Sequence, residues 1–167
     1  MKKQTSTRIL VLGGLSAAIV AAFTFIQLPI GITNGYVNLG DVAIFAIVYL
    51  FSDLLYPSVS AGIGSALVDI LCGYAIYAPG TLIIKASTAL VASIARNCKT
   101  TAIKILILIV AASIIPIGYF LYELLLGYGI AASLASMLMN SLQAAIGLLG
   151  GSLLGNIFVK IRHSVSK

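Results

Sequence analysis

Apolar residues run through this chain in stretches of membrane-spanning length, and prolines, paired glycines and the few charges fall between them. A spanning helix needs about 20 such residues. The pattern predicts a first helix over Ile9–Leu28, ended by Pro29 and Gly31. A polar loop follows to Gly40. The second helix runs from Asp41 to Tyr56 before Pro57, and the third from Val59 to Tyr77 before the Pro79-Gly80 turn. The fourth covers Thr81–Ala95, the fifth Ile103–Leu126, and the sixth, after Gly127-Tyr-Gly129, Ile130–Val159. The expected fold class is all-α: six transmembrane helices forming a single domain over residues 1–167. The second helix, with its sixteen residues, rises only about 24 Å against a hydrocarbon core of ~30 Å. It is expected to start below the membrane surface. The sixth, near 45 Å by the same rise, must tilt, bend or protrude.

Composition supports lipid as the main solvent. Only 8% of residues are charged and 60% are hydrophobic, with a mean hydropathy of +1.13. A water-soluble domain carries roughly 25% charged residues. The uncharged run after Arg8 reaches Gly40, too far for a signal-peptide core, so it reads as a retained helix and loop. Cys72 and Cys98 are too few and too distant for a disulfide framework or zinc site. His163 beside Arg162 reads as a tail residue.

The net charge of +6 would suggest nucleic acid in a soluble protein. Here it reads as orientation. Lys2, Lys3 and Arg8 precede the first helix. Arg96, Lys99 and Lys104 lie between the fourth and fifth. Lys160, Arg162 and Lys167 follow the sixth. Six spans put all three clusters on one side, which the positive-inside rule makes cytoplasmic. The expectation is a multi-pass protein of the cell membrane with both termini cytoplasmic, bound to the lipid bilayer and not to nucleic acid.

Two stripes of small residues stand at helical spacing. Gly14, Ala18 and Ala22, with Ala17 and Ala21, lie on the first helix, and Gly147, Gly151 and Gly155 on the sixth. Small residues four apart let helix backbones approach closely in lipid. Packing inside the bundle and docking of a partner subunit both fit.

Asp41, Asp53, Asp69, Lys85 and Glu123 lie in or at the ends of apolar helices. A charge at mid-membrane costs at least ~2.5–3.5 kcal/mol and commonly marks function. Each has a plainer reading. Asp41 after Gly40 suits a helix N-cap. Asp53 suits a solvated or paired end position. Asp69 and Lys85 suit a structural ion pair. Glu123 and Tyr77 suit the water interface. Lys85 is nevertheless the one basic residue outside the three clusters. Asn140 and Gln143 share a face of the sixth helix, as Tyr74 and Tyr77 do in the third. These groups converge with the loop residues Asn34, Tyr36 and Asn38 on the outer half of the bundle. A polar pocket open to the outside follows. Nucleotide, metal and hydrolase motifs are missing, and no acid/base set forms a catalytic unit.

Across nearly its whole length the chain resembles the substrate-binding S components of energy-coupling factor (ECF) vitamin transporters. The stretches that carry the likeness are Tyr36-Val-Asn-Leu-Gly-Asp41, Ala61-Gly-Ile-Gly-Ser-Ala-Leu-Val-Asp69, Gly73-Tyr-Ala-Ile-Tyr-Ala-Pro79 and Thr81-Leu-Ile-Ile-Lys85, beside an alanine-rich first helix. Their series is similar to the subgroup for hydroxymethylpyrimidine or pyridoxine-type vitamins. The resemblance implies a binding subunit without enzyme activity or cofactor. It would take a small vitamin at the outer side under a lid containing Asn34, Tyr36 and Asn38. Tyr74, Lys85, Glu123, Asn140 and Gln143 would line the pocket. Through Gly14, Ala17, Ala18, Ala21 and Ala22 it would dock on a transmembrane coupling subunit driven by two cytoplasmic ATPases. Two other readings stay open: a stand-alone proton-coupled carrier using Asp69 and Glu123, and a small intramembrane enzyme.

Overall fold

The computed structural model describes residues 6–29, 36–51 and 53–165. They form six helices and a two-stranded hairpin: α1 (Ser6–Phe25), β1 (Gln27–Pro29), β2 (Tyr36–Asn38), α2 (Gly40–Ile47), α3 (Leu55–Leu71), α4 (Ala78–Ala95), α5 (Thr101–Leu125) and α6 (Ile130–Val165). The helices close a ring in which α1 packs on α3, α3 on α4, α4 on α5, α5 on α6, α6 on α2, and α2 on α1. The all-helical bundle expected from the sequence is present. Among the described residues, three helices are long and apolar enough to cross a membrane: α4, α5 and the Ile130–Lys160 part of α6. The apolar stretches Ile9–Phe25 and Leu55–Leu71 are shorter.

The second helix departs most from expectation. It stops at Ile47 instead of Tyr56, and all of its eight residues are buried. At 1.5 Å per residue it rises about 12 Å. It is an inner element of the bundle and does not reach across a bilayer alone. Its end is set by later residues. The Arg96 guanidinium donates to the Val48 carbonyl at 3.0 Å and to the Phe51 carbonyl, taking up groups that a longer helix would have bonded internally. Asp53 then starts α3. Its Oδ1 accepts the backbone N–H groups of Leu55 and Tyr56 at 2.9 and 3.1 Å, the role of an N-terminal cap.

Pro57 and Pro79 therefore have the reverse of their expected role. Both lie in the first turn of a helix, in α3 and α4, where a missing N–H costs nothing. The third helix ends at Leu71, and Gly73 at φ +86° opens the turn that carries Tyr74 and Tyr77. The first helix likewise ends at Phe25, three residues early. The chain continues as β1, paired antiparallel with β2 in the register Gln27↔Asn38, Leu28↔Val37 and Pro29↔Tyr36.

Val20, Ile44, Phe45, Ile47, Val48 and Ile115 form the centre of the core. The glycine stripe of α6 belongs to this interior. A Cβ at Gly147 would collide with Asp41, one at Gly151 with Phe45, and one at Gly155 with the Tyr49 ring. Positions 41, 45 and 49 match 147, 151 and 155 turn for turn, so α6 lies against α2 at backbone distance. On the outside, large aliphatics such as Leu106, Leu138 and Leu149 are exposed, as on a surface solvated by lipid.

Candidate functional site

At the end of the bundle where α4 begins, a cavity of about 390 Å³ is bounded by six pieces of chain. Asp69 comes from the last turn of α3, Tyr74 and Tyr77 from the following turn, and Thr81 from the first turns of α4. Tyr119 and Glu123 come from α5. Ala135, Ser136, Met139, Asn140 and Gln143 come from α6, and Asn38 from the end of β2.

Helical spacing explains the convergence. Ser136, Asn140 and Gln143 are four and three residues apart on α6, and Tyr119 and Glu123 are four apart on α5, so each set shares one face. Glu123 is buried. Its Oε1 accepts the Ser136 hydroxyl at 2.7 Å and the Tyr77 hydroxyl at 3.3 Å. Asn140 Nδ2 donates to the Ser136 carbonyl at 3.0 Å and to its hydroxyl at 3.2 Å. The hydroxyls of Thr81 and Tyr119 are 2.9 Å apart. Tyr77 packs its ring near those of Tyr122 and Tyr128, with centroids 6.3 and 6.2 Å away. The walls thus combine flat aromatic surface with amides and hydroxyls that both donate and accept.

Lys85 occupies a different place from the one expected. It does not line the cavity. Its Nζ bonds Asp41 Oδ1 at 2.5 Å, and the two side chains are 5% and 1% exposed. The structure corrects two expectations here: Lys85 pairs with Asp41 and not with Asp69, and Asp41 makes no N-cap bond. Asp41 instead gives its second oxygen to the Gln143 amide, Nε2 to Oδ2 at 2.7 Å. Gln143 Oε1 in turn accepts the backbone N–H of Asn38 at 3.1 Å. Lys85, Asp41, Gln143 and the end of β2 form one chain of contacts. The ion pair is a buried support behind the cavity wall, with Lys85 also 5.4 Å from the centre of the Tyr119 ring. The pairing was hard to foresee because it joins residues from α2 and α4, 44 positions apart.

Five expected site residues, Asn38, Tyr74, Glu123, Asn140 and Gln143, do meet at the cavity. Asn34 and the side chain of Tyr36 lie outside the described residues. Thr81, Tyr119 and Ser136 were missed. Each stands four residues from a polar group already singled out, which was the available signal.

On α1 the small-residue stripe divides. Gly14, Ala18 and Ala22 are exposed, beside Val11 and Leu15. A Cβ at Gly14 would meet nothing within 4 Å. Ala17 and Ala21 are half-buried on the flank. The Ala17 carbonyl lies where a Cβ on Gly64 of α3 would reach 2.5 Å, so this side packs inward.

Comparison with known proteins gives three findings. An uncharacterized protein of Pyrococcus woesei, described as lying in a gap 3' region, is 31% identical over 144 residues, which cover 86% of this chain and 95% of that one. A solved S component of a bacterial ECF transporter shares the fold with a TM-score of 0.60 over 97% of both chains, at 19% identity. The model of the ECF-type riboflavin transporter S component family matches residues 4–160. The chain belongs to that family, the membrane-embedded binding subunits of vitamin transporters.

Proposed function

We propose that this protein captures riboflavin, or a close flavin relative, from the outer side of the cell membrane and presents it to an ATP-driven ECF module for uptake. The cavity is the observation that carries the reading. Its 390 Å³ falls in the range that encloses drug-sized ligands. Three tyrosines offer stacking surface, worth about 0.5–1.5 kcal/mol per aromatic pair beyond simple burial. Asn38, Asn140, Gln143, Thr81 and Ser136 supply polar contacts for a heterocycle edge and a polyol chain. The family description names riboflavin. The single-ring hydroxymethylpyrimidine and pyridoxine compounds expected from the sequence would leave much of this volume unfilled.

The direction of uptake follows from the charges. The cavity lies where α4 starts, and α4 ends at Ala95, followed by Arg96, Lys99 and Lys104. With that basic loop cytoplasmic, the cavity faces outward and both termini face inward. Gly14, Ala18 and Ala22 present a small-residue face for a transmembrane coupling subunit. Two cytoplasmic ATPases on that subunit supply the energy, since this chain has no nucleotide motif. A stand-alone proton-coupled carrier would instead accumulate substrate in vesicles lacking any ATPase.

The test is a fluorescence titration of riboflavin against the purified protein in detergent. The expected result is saturable quenching at one equivalent with a Kd below ~1 μM, about −8.2 kcal/mol, undisturbed by equal concentrations of pyridoxine or hydroxymethylpyrimidine. Absence of saturable binding, or displacement by either single-ring compound, overturns the flavin reading.

A further inference from the structure

One atom of the cavity wall has no partner. Asp69 Oδ2 is buried and makes no hydrogen bond. Two other buried side-chain oxygens among the described residues share this condition, on Ser65 and Ser152, and neither residue lines the cavity. A buried acceptor without a donor carries its full desolvation penalty, and a carboxylate carries a larger one than a hydroxyl.

The neighbouring groups leave this oxygen without a donor. Lys85 acts on Asp69 through space, but its ammonium is bonded to Asp41 at 2.5 Å. Glu123, the other carboxylate of the wall, already receives two hydroxyls. The Thr81 hydroxyl hydrogen-bonds the Asp69 carboxyl and stands 2.9 Å from the Tyr119 hydroxyl, and Oδ2 stays unpaired beside this contact. The wall therefore presents a strong acceptor with one unused oxygen, and Tyr74, Tyr77 and Tyr119 give aromatic surface around it. The complement of that set is a flat ring with an N–H at its edge.

We propose that Asp69 is the specificity-determining acceptor of this pocket, receiving the imide N–H of the flavin ring, the one N–H of the oxidised ring system. The assignment rests on the flavin reading above and deepens it. It places the ring against α3, α4 and α5, and the ribityl chain toward Asn38, Asn140 and Gln143. A flavin methylated at this nitrogen loses the donor and brings a methyl group against the carboxylate.

The experiment measures riboflavin and 3-methylriboflavin binding to the full-length protein and to Asp69→Ala. Wild-type protein is expected to bind the methylated compound at least ~10-fold more weakly, equal to about 1.4 kcal/mol. Asp69→Ala is expected to lose at least ~10-fold in riboflavin affinity while its affinity for 3-methylriboflavin stays within about threefold of wild type. Asp69→Asn keeps the shape of the side chain and serves where the alanine variant does not fold. It is expected to narrow the ratio between the two ligands. An unchanged ratio in the variants, or equal weakening of both ligands, overturns the role of Asp69 and leaves the flavin reading standing. Failure of the wild-type protein to bind riboflavin overturns both.

Discussion

Lys85 is the residue on which the sequence and the structure give opposed predictions, and Lys85→Met separates them. In the structure the lysine neutralises Asp41 at 2.5 Å, with both side chains almost wholly buried. Removing one member of such a pair leaves a buried charge uncompensated, at a cost of about 3–5 kcal/mol. A chain of this size loses roughly 2–4 °C in Tm per kcal/mol. The expected drop is therefore about 6–20 °C. Gln143 still bonds the second oxygen of Asp41, which places the effect toward the lower end. Asp41→Asn combined with Lys85→Met removes both charges and keeps a side chain able to bond Gln143, so it should recover most of the loss. Thermal unfolding of the ligand-free proteins in one detergent measures these values. Well below Tm, Lys85→Met should bind riboflavin within about threefold of wild type, because Lys85 does not line the cavity. An unchanged Tm with a tenfold loss of affinity would refute this reasoning and make Lys85 a ligand contact. A double variant as unstable as the sum of the single ones would refute the pairing.

Three further variants probe the small-residue stripes. Gly151→Ala puts a methyl group against Phe45 and within 2.6 Å of the Val42 carbonyl, and should cost about 1–3 kcal/mol. Gly14→Ala meets open space and should stabilise by roughly 0.5–1 kcal/mol through helix propensity; equal Tm shifts of one sign in both variants would sink the division between inner and outer stripes. Ala18→Trp on the exposed face should leave Tm and riboflavin affinity unchanged and abolish uptake in cells that contain the ECF module; normal uptake would remove this face as the docking surface.

Much of this bundle was legible because lipid imposes a simple rule on sequence. Apolar runs of spanning length predicted both ends of α4 and α5 to within three residues and the start of α6, which runs six residues beyond the expected Val159, and two of the glycines of positive φ, Gly127 and Gly129, marked the last turn. Where the rule weakened, so did the reading. Pro57 and Pro79 looked like helix terminators, because proline is equally acceptable after one helix and in the first turn of the next. Which role applies at residue 57 depends on Asp53 as a cap and on Arg96 holding the Val48 and Phe51 carbonyls. Arg96 lies 48 and 45 residues beyond those two carbonyls, so local spacing could not reveal it.

The candidate site shows the same division. Spacing along single helices found Asn140, Gln143 and Glu123, because neighbours on one helix face are fixed by the helical period. Partner choice between helices was not visible. Asp41, Asp69 and Lys85 were all recognised as costly groups, yet which carboxylate the lysine neutralises depends on how closely α2 approaches α6. The glycines at 147, 151 and 155 set that approach. They bring Asp41 beneath Gln143 and toward Lys85, and Asp69 is left facing the cavity without a cation bonded to it.

Ligand capture by the isolated subunit is the central claim, and native mass spectrometry tests it most directly. The protein would be purified gently from membranes after exposure to equal concentrations of riboflavin, pyridoxine and hydroxymethylpyrimidine. The predicted spectrum is one chain carrying one riboflavin. A bare chain, or a chain carrying either single-ring compound, would contradict it.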